Sequence, residues 1–287
     1  MRLRSLGYRT DLMLARLQGA VVTDRGDHLV IRTLDNPAFH WGNYVLAGES
    51  WVDRPLADLV AIFHAEHPRA DHLVIGVDGV AGRVWGDEEL AECGLEVDRS
   101  VVMTARQVHL PQHGNPDAVC RMLSSAPRHG SGLVSSSGSD CAGGPGSDSD
   151  WAAAVDLHAI EHRDFDPVEF RDFVQRRMTA RREQQEAGLG GWFGAFVDAK
   201  MVSGLGLFTD GSGLGRFQDV ETLAAVRRTG LAATLVHHAS VVGLREFGIR
   251  DLVMVADPDY SAIRLYRSLG FGESEIQVGL ARPVHGP

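Results

Sequence analysis

Between Ser124 and Asp150 the chain reads S-S-A-P-R-H-G-S-G-L-V-S-S-S-G-S-D-C-A-G-G-P-G-S-D-S-D. A run with so little apolar surface cannot offset the entropy lost in ordering its backbone. It cannot thread a shared core, so a chain of 287 residues interrupted by it is expected to fold as two bodies. The sequence thus predicts a domain over residues 1–123, a flexible Ser/Gly linker over 124–150, and a second domain over 151–287.

The formal net charge of −10 argues against a broad nucleic-acid surface, which needs a basic face. It fits cationic or neutral small molecules better than anionic ones. No apolar run is long enough to span a bilayer, and Met1–Leu6 lacks an apolar core followed by a small-residue cleavage site. Cys93, Cys120 and Cys141 lie far apart and form no C-x-x-C pair, which fits a reducing compartment. The expectation is a cytoplasmic protein, monomeric or homodimeric, with no nucleic-acid and no membrane partner.

The elements read as mixed α/β. In the first half the pattern predicts a helix over residues 10–19, β-runs at 19–23, 28–33 and 41–46, and a helix opening at Asp53-Arg54-Pro55. A strand at 72–77, a short helix at 88–93 stopped by Gly94, and a strand at 100–105 follow. In the second half Asp166-Pro167 opens a helix whose charged run 176–186 is expected to be solvated. Strands are predicted at 191–197, 201–208 and 217–222, then a long helix closed by Gly248, a strand at 252–256, a helix opened by Asp257-Pro258-Asp259 and closed by Gly270, and a strand at 276–281. His64, His67 and His72 have no fixed ligand spacing, so no metal site is expected from them. Trp41 and Tyr44 read as core aromatics.

One stretch carries chemistry. The β-run ending at Val220-Glu221-Thr222 passes through Arg227-Arg228-Thr229-Gly230-Leu231-Ala232 into a helix with Leu231, Leu235, Ala239 and Val242 on one face. A helix start exposes unpaired N–H groups at the positive end of its dipole, and that combination binds phosphate. Gly230 lets an anion approach the backbone, and Arg227 and Arg228 add positive charge.

The R-x-x-G-x-A form of residues 227–232 resembles motif A of the GCN5-related N-acetyltransferases, Q/R-x-x-G-x-G/A. Asp259-x-x-Ala262-x-x-Leu265-Tyr266-x-x-x-Gly270-Phe271 resembles that family's motif B, with Asp259 where asparagine is common. The resemblance implies a mixed-sheet acetyltransferase fold over about 156–281 and acetyl-coenzyme A as co-substrate, with no metal. It implies that Val220, Glu221 and Thr222 lie along the pantetheine. It implies that the amides of Arg228, Thr229, Gly230, Leu231, Ala232 and Ala233 hold the pyrophosphate, with Thr234 adding a hydroxyl. It gives Tyr266 the role of general acid toward the leaving thiolate and puts the pantetheine contact of Asp259 in doubt. Glu221 is the candidate base, with a solvated strand carboxylate as the competing reading; Asp219 is expected on the same face. The acceptor is expected to be a small amine of unspecified identity. A coenzyme A-binding protein without turnover is the alternative.

The halves also resemble each other. Leu73–Asp78, a short helix, Gly94 and Ser100–Ala105 follow the same order as Leu252–Asp257, a short helix, Gly270 and the last strand. This is similar to the tandem arrangement of mycothiol synthase-like proteins. Where the second half has Arg227–Ala232, the first has Trp51-Val52-Asp53-Arg54-Pro55: a proline without an N–H and an acidic side chain. The first half is therefore expected to be a degenerate copy that does no chemistry and walls the acceptor site.

Overall fold

The structure is a computed structural model that describes residues 1–34, 36, 39–124, 147–160 and 166–282. In chain order the elements begin with α1 (Leu6–Leu17), β1 (Val21–Asp24), β2 (His28–Arg32), β3 (Tyr44–Gly48), α2 (Leu56–Glu66), β4 (Val74–Asp78), α3 (Asp87–Cys93) and β5 (Glu96–Ala105). There follow β6 (Val119–Met122), α4 (Ser147–Ile160), α5 (Pro167–Glu186), β7 (Gly190–Val197), β8 (Lys200–Phe208), β9 (Leu214–Thr222) and α6 (Leu231–Glu246). The chain ends with β10 (Asp251–Ala256), α7 (Ala262–Ser268) and β11 (Gly272–Ala281). Among the described residues no helix is long and apolar enough to cross a membrane, and Cys93 and Cys120 are free thiols.

The chain divides into two compact units, and the division is not linear. One unit joins Met1–Ala105 to Asp251–Pro287; the other is Arg106–Arg250. The division read from the sequence instead placed β10, α7 and β11 with the second half. Most of the expected linker, residues 125–146, lies outside the described residues, and Ser147–Asp150 form the first turn of α4.

The reason for the non-linear division is strand exchange inside the first unit. Its strands run in the order β1-β2-β3-β4-β11-β5-β10, with β3 and β4 parallel and the other neighbours antiparallel. The two strand–helix–strand segments that the sequence showed as repeats, β4–α3–β5 and β10–α7–β11, are interlocked. β11 lies between β4 and β5, and β5 lies between β11 and β10. Each helix stops at a glycine with positive φ, Gly94 at 64° and Gly270 at 98°, which ends the helix without a Cβ penalty. Val278 and Leu280 of β11 share one core with Ile75 and Val77 of β4 and with Trp51, Phe63 and Trp85. Burying side chains of this size stabilises by about 1.5–3 kcal/mol each. Separating the two repeats would forfeit that contribution at every shared position. Tyr44 is buried as expected, but Trp41 is partly exposed, in edge contact with it.

In the second unit the strands run β9-β8-β7-β6, all antiparallel. Asp198 and Ala199 turn β7 into β8 with φ of 48° and 61°, the backbone of a tight hairpin. The start of α5 is set as the sequence predicted: Asp166 accepts the N–H groups of Val168 and Glu169, and Pro167 occupies the first helical position. Its charged run is not wholly solvated. Arg181, Gln184 and Gln185 are buried. Arg181 donates to the side-chain oxygens of Gln184 and Gln218 and lies 4.8 Å over the Phe208 ring. Burial lowers its pKa to about 10, which leaves it charged at neutral pH.

Candidate active site

The site is built on β9 and the turn that follows it. Gly204 of β8 pairs with Glu221 and Gly206 pairs with Gln218, so Asp219 and Val220 together oppose Leu205. This is a β-bulge, and Asp219 has φ of 49°. Two arginines one turn apart on α5 hold it. Arg177 bonds Asp219 at 2.5 Å, and Arg181 bonds Gln218. The bulge interrupts strict alternation, so the positions of Asp219 and Glu221 follow from these contacts and not from a simple count of residues.

Beyond the bulge, the Glu221 carbonyl and the Thr222 hydroxyl both engage the Ser203 hydroxyl, at 2.6 and 2.8 Å. The Glu221 side chain turns toward α4, where Nδ1 of His158 lies 2.7 Å from Oε2 of Glu221. His158 is buried, and Glu221 is 19% exposed at the side chain. Oε2 itself is buried, so the exposed part of the side chain lies on its other atoms. A cleft of about 450 Å³ has Leu157 and Leu223 among its walls, the sequence neighbours of His158 and Thr222.

After Thr222 the chain makes a short turn at Ala224–Val226, Arg227 donates to the Thr222 carbonyl, and α6 begins. Arg228 (φ 62°) and Gly230 (φ 84°) both take left-handed backbone. Gly230 has a second requirement: a Cβ there would lie 2.3 Å from the His113 carbonyl oxygen. Among the described residues, none of the backbone N–H groups from Arg228 to Ala233 donates a hydrogen bond; the first to do so is that of Thr234, to the Gly230 carbonyl. Six successive amides are thus left for an outside acceptor, at the positive end of a 16-residue helix. Arg228 is exposed and carries no ion pair among the described residues.

Residues 154–271 match the family described as acetyltransferase (GNAT). That segment is a GNAT domain. A GCN5-related N-acetyltransferase from Kribbella flavida superposes with a TM-score of 0.63 at 16% identity, covering 98% of this chain and 96% of that one. A functionally unknown protein from Staphylococcus epidermidis superposes at 0.65 with 12% identity, covering 90% and 92%. A tandem GNAT protein from the clavulanic acid biosynthesis pathway gives 0.53 at 13%, covering 93% and 84%. No curated protein sequence matches. At these identities the likeness is one of fold, and the fold is the GNAT fold; membership of the domain supports acyltransferase activity in general.

The remaining expected residues of the GNAT domain belong to the first unit. Tyr266 lies on α7, only 4% exposed, and packs at an angle of 62° against Phe271. Burial, and then the Tyr260 phenol, push its pKa well above the ordinary value near 10, so the phenol keeps its proton. Asp259 is exposed in the turn before α7, its N–H held by the Asp257 carboxylate.

Two residues of the GNAT domain's surroundings escaped the sequence reading. His158 lies on α4, which the sequence left unassigned at residues 151–160; a histidine on the buried side of a helix is an ordinary core residue until its partner is known. Asn115 is 119 positions from Thr234 and has no motif. Its N–H donates to the Thr234 hydroxyl at 2.9 Å, and its Nδ2 donates to the Thr229 carbonyl at 3.1 Å. The Thr234 hydroxyl, expected to add to the phosphate cradle, also donates to the Gly230 carbonyl. It therefore fastens the loop to residues 113–115.

Proposed function

We propose that the protein is an acetyl-coenzyme A-dependent N-acetyltransferase acting on a small amine, with its catalytic elements in the GNAT domain. The observation that carries this reading is the run of six amides from Arg228 to Ala233 at the start of α6 that are unpaired among the described residues. Such a run is suited to a diphosphate, and the family match makes coenzyme A the fitting source of one. When bound, acetyl-coenzyme A supplies an acyl group activated as a thioester.

The chain's own groups then have distinct tasks. The amides of 228–233 and the Arg228 guanidinium hold the diphosphate. The backbone beyond the bulge, Val220–Thr222, lines the pantetheine arm and offers an N–H to the thioester carbonyl oxygen. Glu221, steadied by His158, takes a proton from the attacking amine as the C–N bond forms. Tyr266 donates its proton to the thiolate as the C–S bond breaks, a task its buried surroundings oppose by holding the phenol's pKa up.

The test is thiol release from acetyl-coenzyme A across a panel of amines, run beside Tyr266→Phe. The parent is expected to turn over at least one amine, and the variant to lose about 100-fold in kcat with little change in coenzyme A affinity. Coenzyme A binding without thiol release from any amine would leave a coenzyme A-binding protein and remove the enzymatic reading. Equal turnover in the two proteins would remove Tyr266 from the mechanism.

A further inference from the structure

The first unit, which the proposed reaction does not use for phosphate binding, holds a cluster with metal-binding character. His40, Asp71 and His72 each offer one ligand atom, and the three atoms lie within 4.8 Å of one another. Two of these residues enter at equivalent places in the fold. β3 and β4 are parallel neighbours. Asn43 immediately precedes β3, and the 3₁₀ turn His40–Gly42 lies just before it. Asp71 and His72 lie just before β4. The loops feeding two adjacent parallel strands therefore meet at one end of the pair.

His72 carries the inference. Its side chain is 3% exposed. Its Nε2 lies 2.8 Å from the Asn43 carbonyl oxygen, and a carbonyl can only accept, so Nε2 bears the hydrogen. In the neutral ring Nδ1 then presents a lone pair. Nδ1 is buried and has no hydrogen-bond partner among the described residues. A buried acceptor left unmet is destabilising, so its persistence calls for an explanation. A carboxylate oxygen of Asp71 is 3.7 Å away, too far for a hydrogen bond. That gap is close to the separation of roughly 3.4 Å between ligand atoms placed about 2.1 Å from a tetrahedral ion. The His40 ring stacks on His72 with centroids 4.4 Å apart and planes 18° apart, which brings a second imidazole to the same spot.

The surroundings prepare the set. A ligating histidine ordinarily donates its other ring N–H to a carbonyl or carboxylate, which fixes tautomer and orientation; the bond from His72 to Asn43 does this. The Asn43 side chain accepts from the Thr33 N–H and donates to the carbonyls of Asn36 and Phe39, tying down the loop that carries His40. His67 is not part of the cluster; its ring packs on Phe63 at 4.9 Å.

We propose that His40, Asp71 and His72 bind one divalent transition-metal cation of the zinc type, with a fourth position left to water. Two imidazoles and one carboxylate suit zinc and its borderline neighbours better than magnesium or calcium, which take all-oxygen sets. The ion would tie the loop before β3 to the loop before β4 in the unit that lacks a phosphate-binding turn.

The experiment is calorimetric titration of the full, untagged chain with Zn²⁺, and cobalt substitution read by its visible spectrum. One equivalent is expected to bind at micromolar concentration or tighter, to raise Tm, and to give a tetrahedral cobalt spectrum. His40→Ala combined with Asp71→Asn, both on the accessible side of the cluster, is expected to weaken binding at least 10-fold and to abolish the metal-dependent rise in Tm. The variant's own Tm without metal checks that it folds. Unchanged affinity and stoichiometry in that double variant would place the ion on other histidines of the chain and overturn the proposal. No saturable binding by the parent would overturn it equally.

Discussion

Two helix starts, those of α2 and α6, follow a strand and a short 3₁₀ turn, and they treat their exposed amides in opposite ways. At α6 the amides from Arg228 to Ala233 have no partner among the described residues. At α2 the Leu56 N–H is already taken, by Oε1 of Glu89 at 2.6 Å, and the Asp58 N–H by the Pro55 carbonyl. Pro55 has no N–H to offer, and Asp58 adds a further negative charge in the first turn. Arg54 is exposed like Arg228 but already engaged: its guanidinium lies 4.4 Å over the Trp51 ring and pairs with Asp27, and its carbonyl accepts from Trp85 Nε1. The first unit thus carries its own anion where the second leaves room for one. The same contrast holds at the second motif. Tyr266 stands four residues before Gly270, and Leu90 stands four residues before Gly94. What separates the two helix starts is a handful of side chains at matching places.

The contrast breaks most sharply if α6 is given its own anion. Gly230→Asp should abolish coenzyme A binding by calorimetry, a loss of more than about 100-fold. Because that change also forces a Cβ to 2.3 Å from the His113 carbonyl at φ of 84°, Ala232→Glu is the cleaner variant. It places a carboxylate in a first turn where acidic residues favour the helix, so binding should fall while Tm holds. Unaltered binding in Ala232→Glu would mean that the α6 amides are not the phosphate site. Next in size, Glu221→Gln should lower kcat by about 10- to 100-fold with coenzyme A affinity kept, and His158→Asn should do so by less. A change confined to KM would make Glu221 a binding group instead.

In the first unit, Glu89→Ala should cost about 1–2 kcal/mol in denaturant unfolding by stranding the Leu56 N–H, without creating coenzyme A affinity. A gain of coenzyme A binding would show that Glu89 alone closes the site. The smallest effect concerns Glu66. Its bond to Arg25, opposed by some burial and reinforced by Arg32, lowers its pKa to about 2. A depressed carboxylate contributes stability above its unfolded value of 4.5 and loses it as pH falls toward 2. Since the pair is partly solvated, the contribution is about 1 kcal/mol. Glu66→Gln should show that deficit at pH 7 and none near pH 2.

Much of this was legible along the chain, for stated reasons. Strand and helix periodicity, Asp166-Pro167, and the glycines at 94 and 270 are local signals, and they placed α5, β7, β8, α6 and both repeats close to where they lie. Where reading failed, the missing information was non-local. Arg181 looked solvated because a charged run usually is, yet its partners Gln218 and Phe208 come from other strands. The bulge at Asp219 depends on the register of β8 against β9 and on two arginines of α5.

The sequence by itself determined that a strand, a glycine turn and a helix follow one another around Gly230, because that order is set by contacts within a few tens of residues. Only the tertiary structure decided that β5 and β11 trade places between the repeats, that His158 stands against Glu221, and that Asn115 fastens the loop after Thr229. Those depend on pairings between residues from 63 to 185 positions apart in the chain, and no local preference of backbone or side chain encodes a partner at that distance.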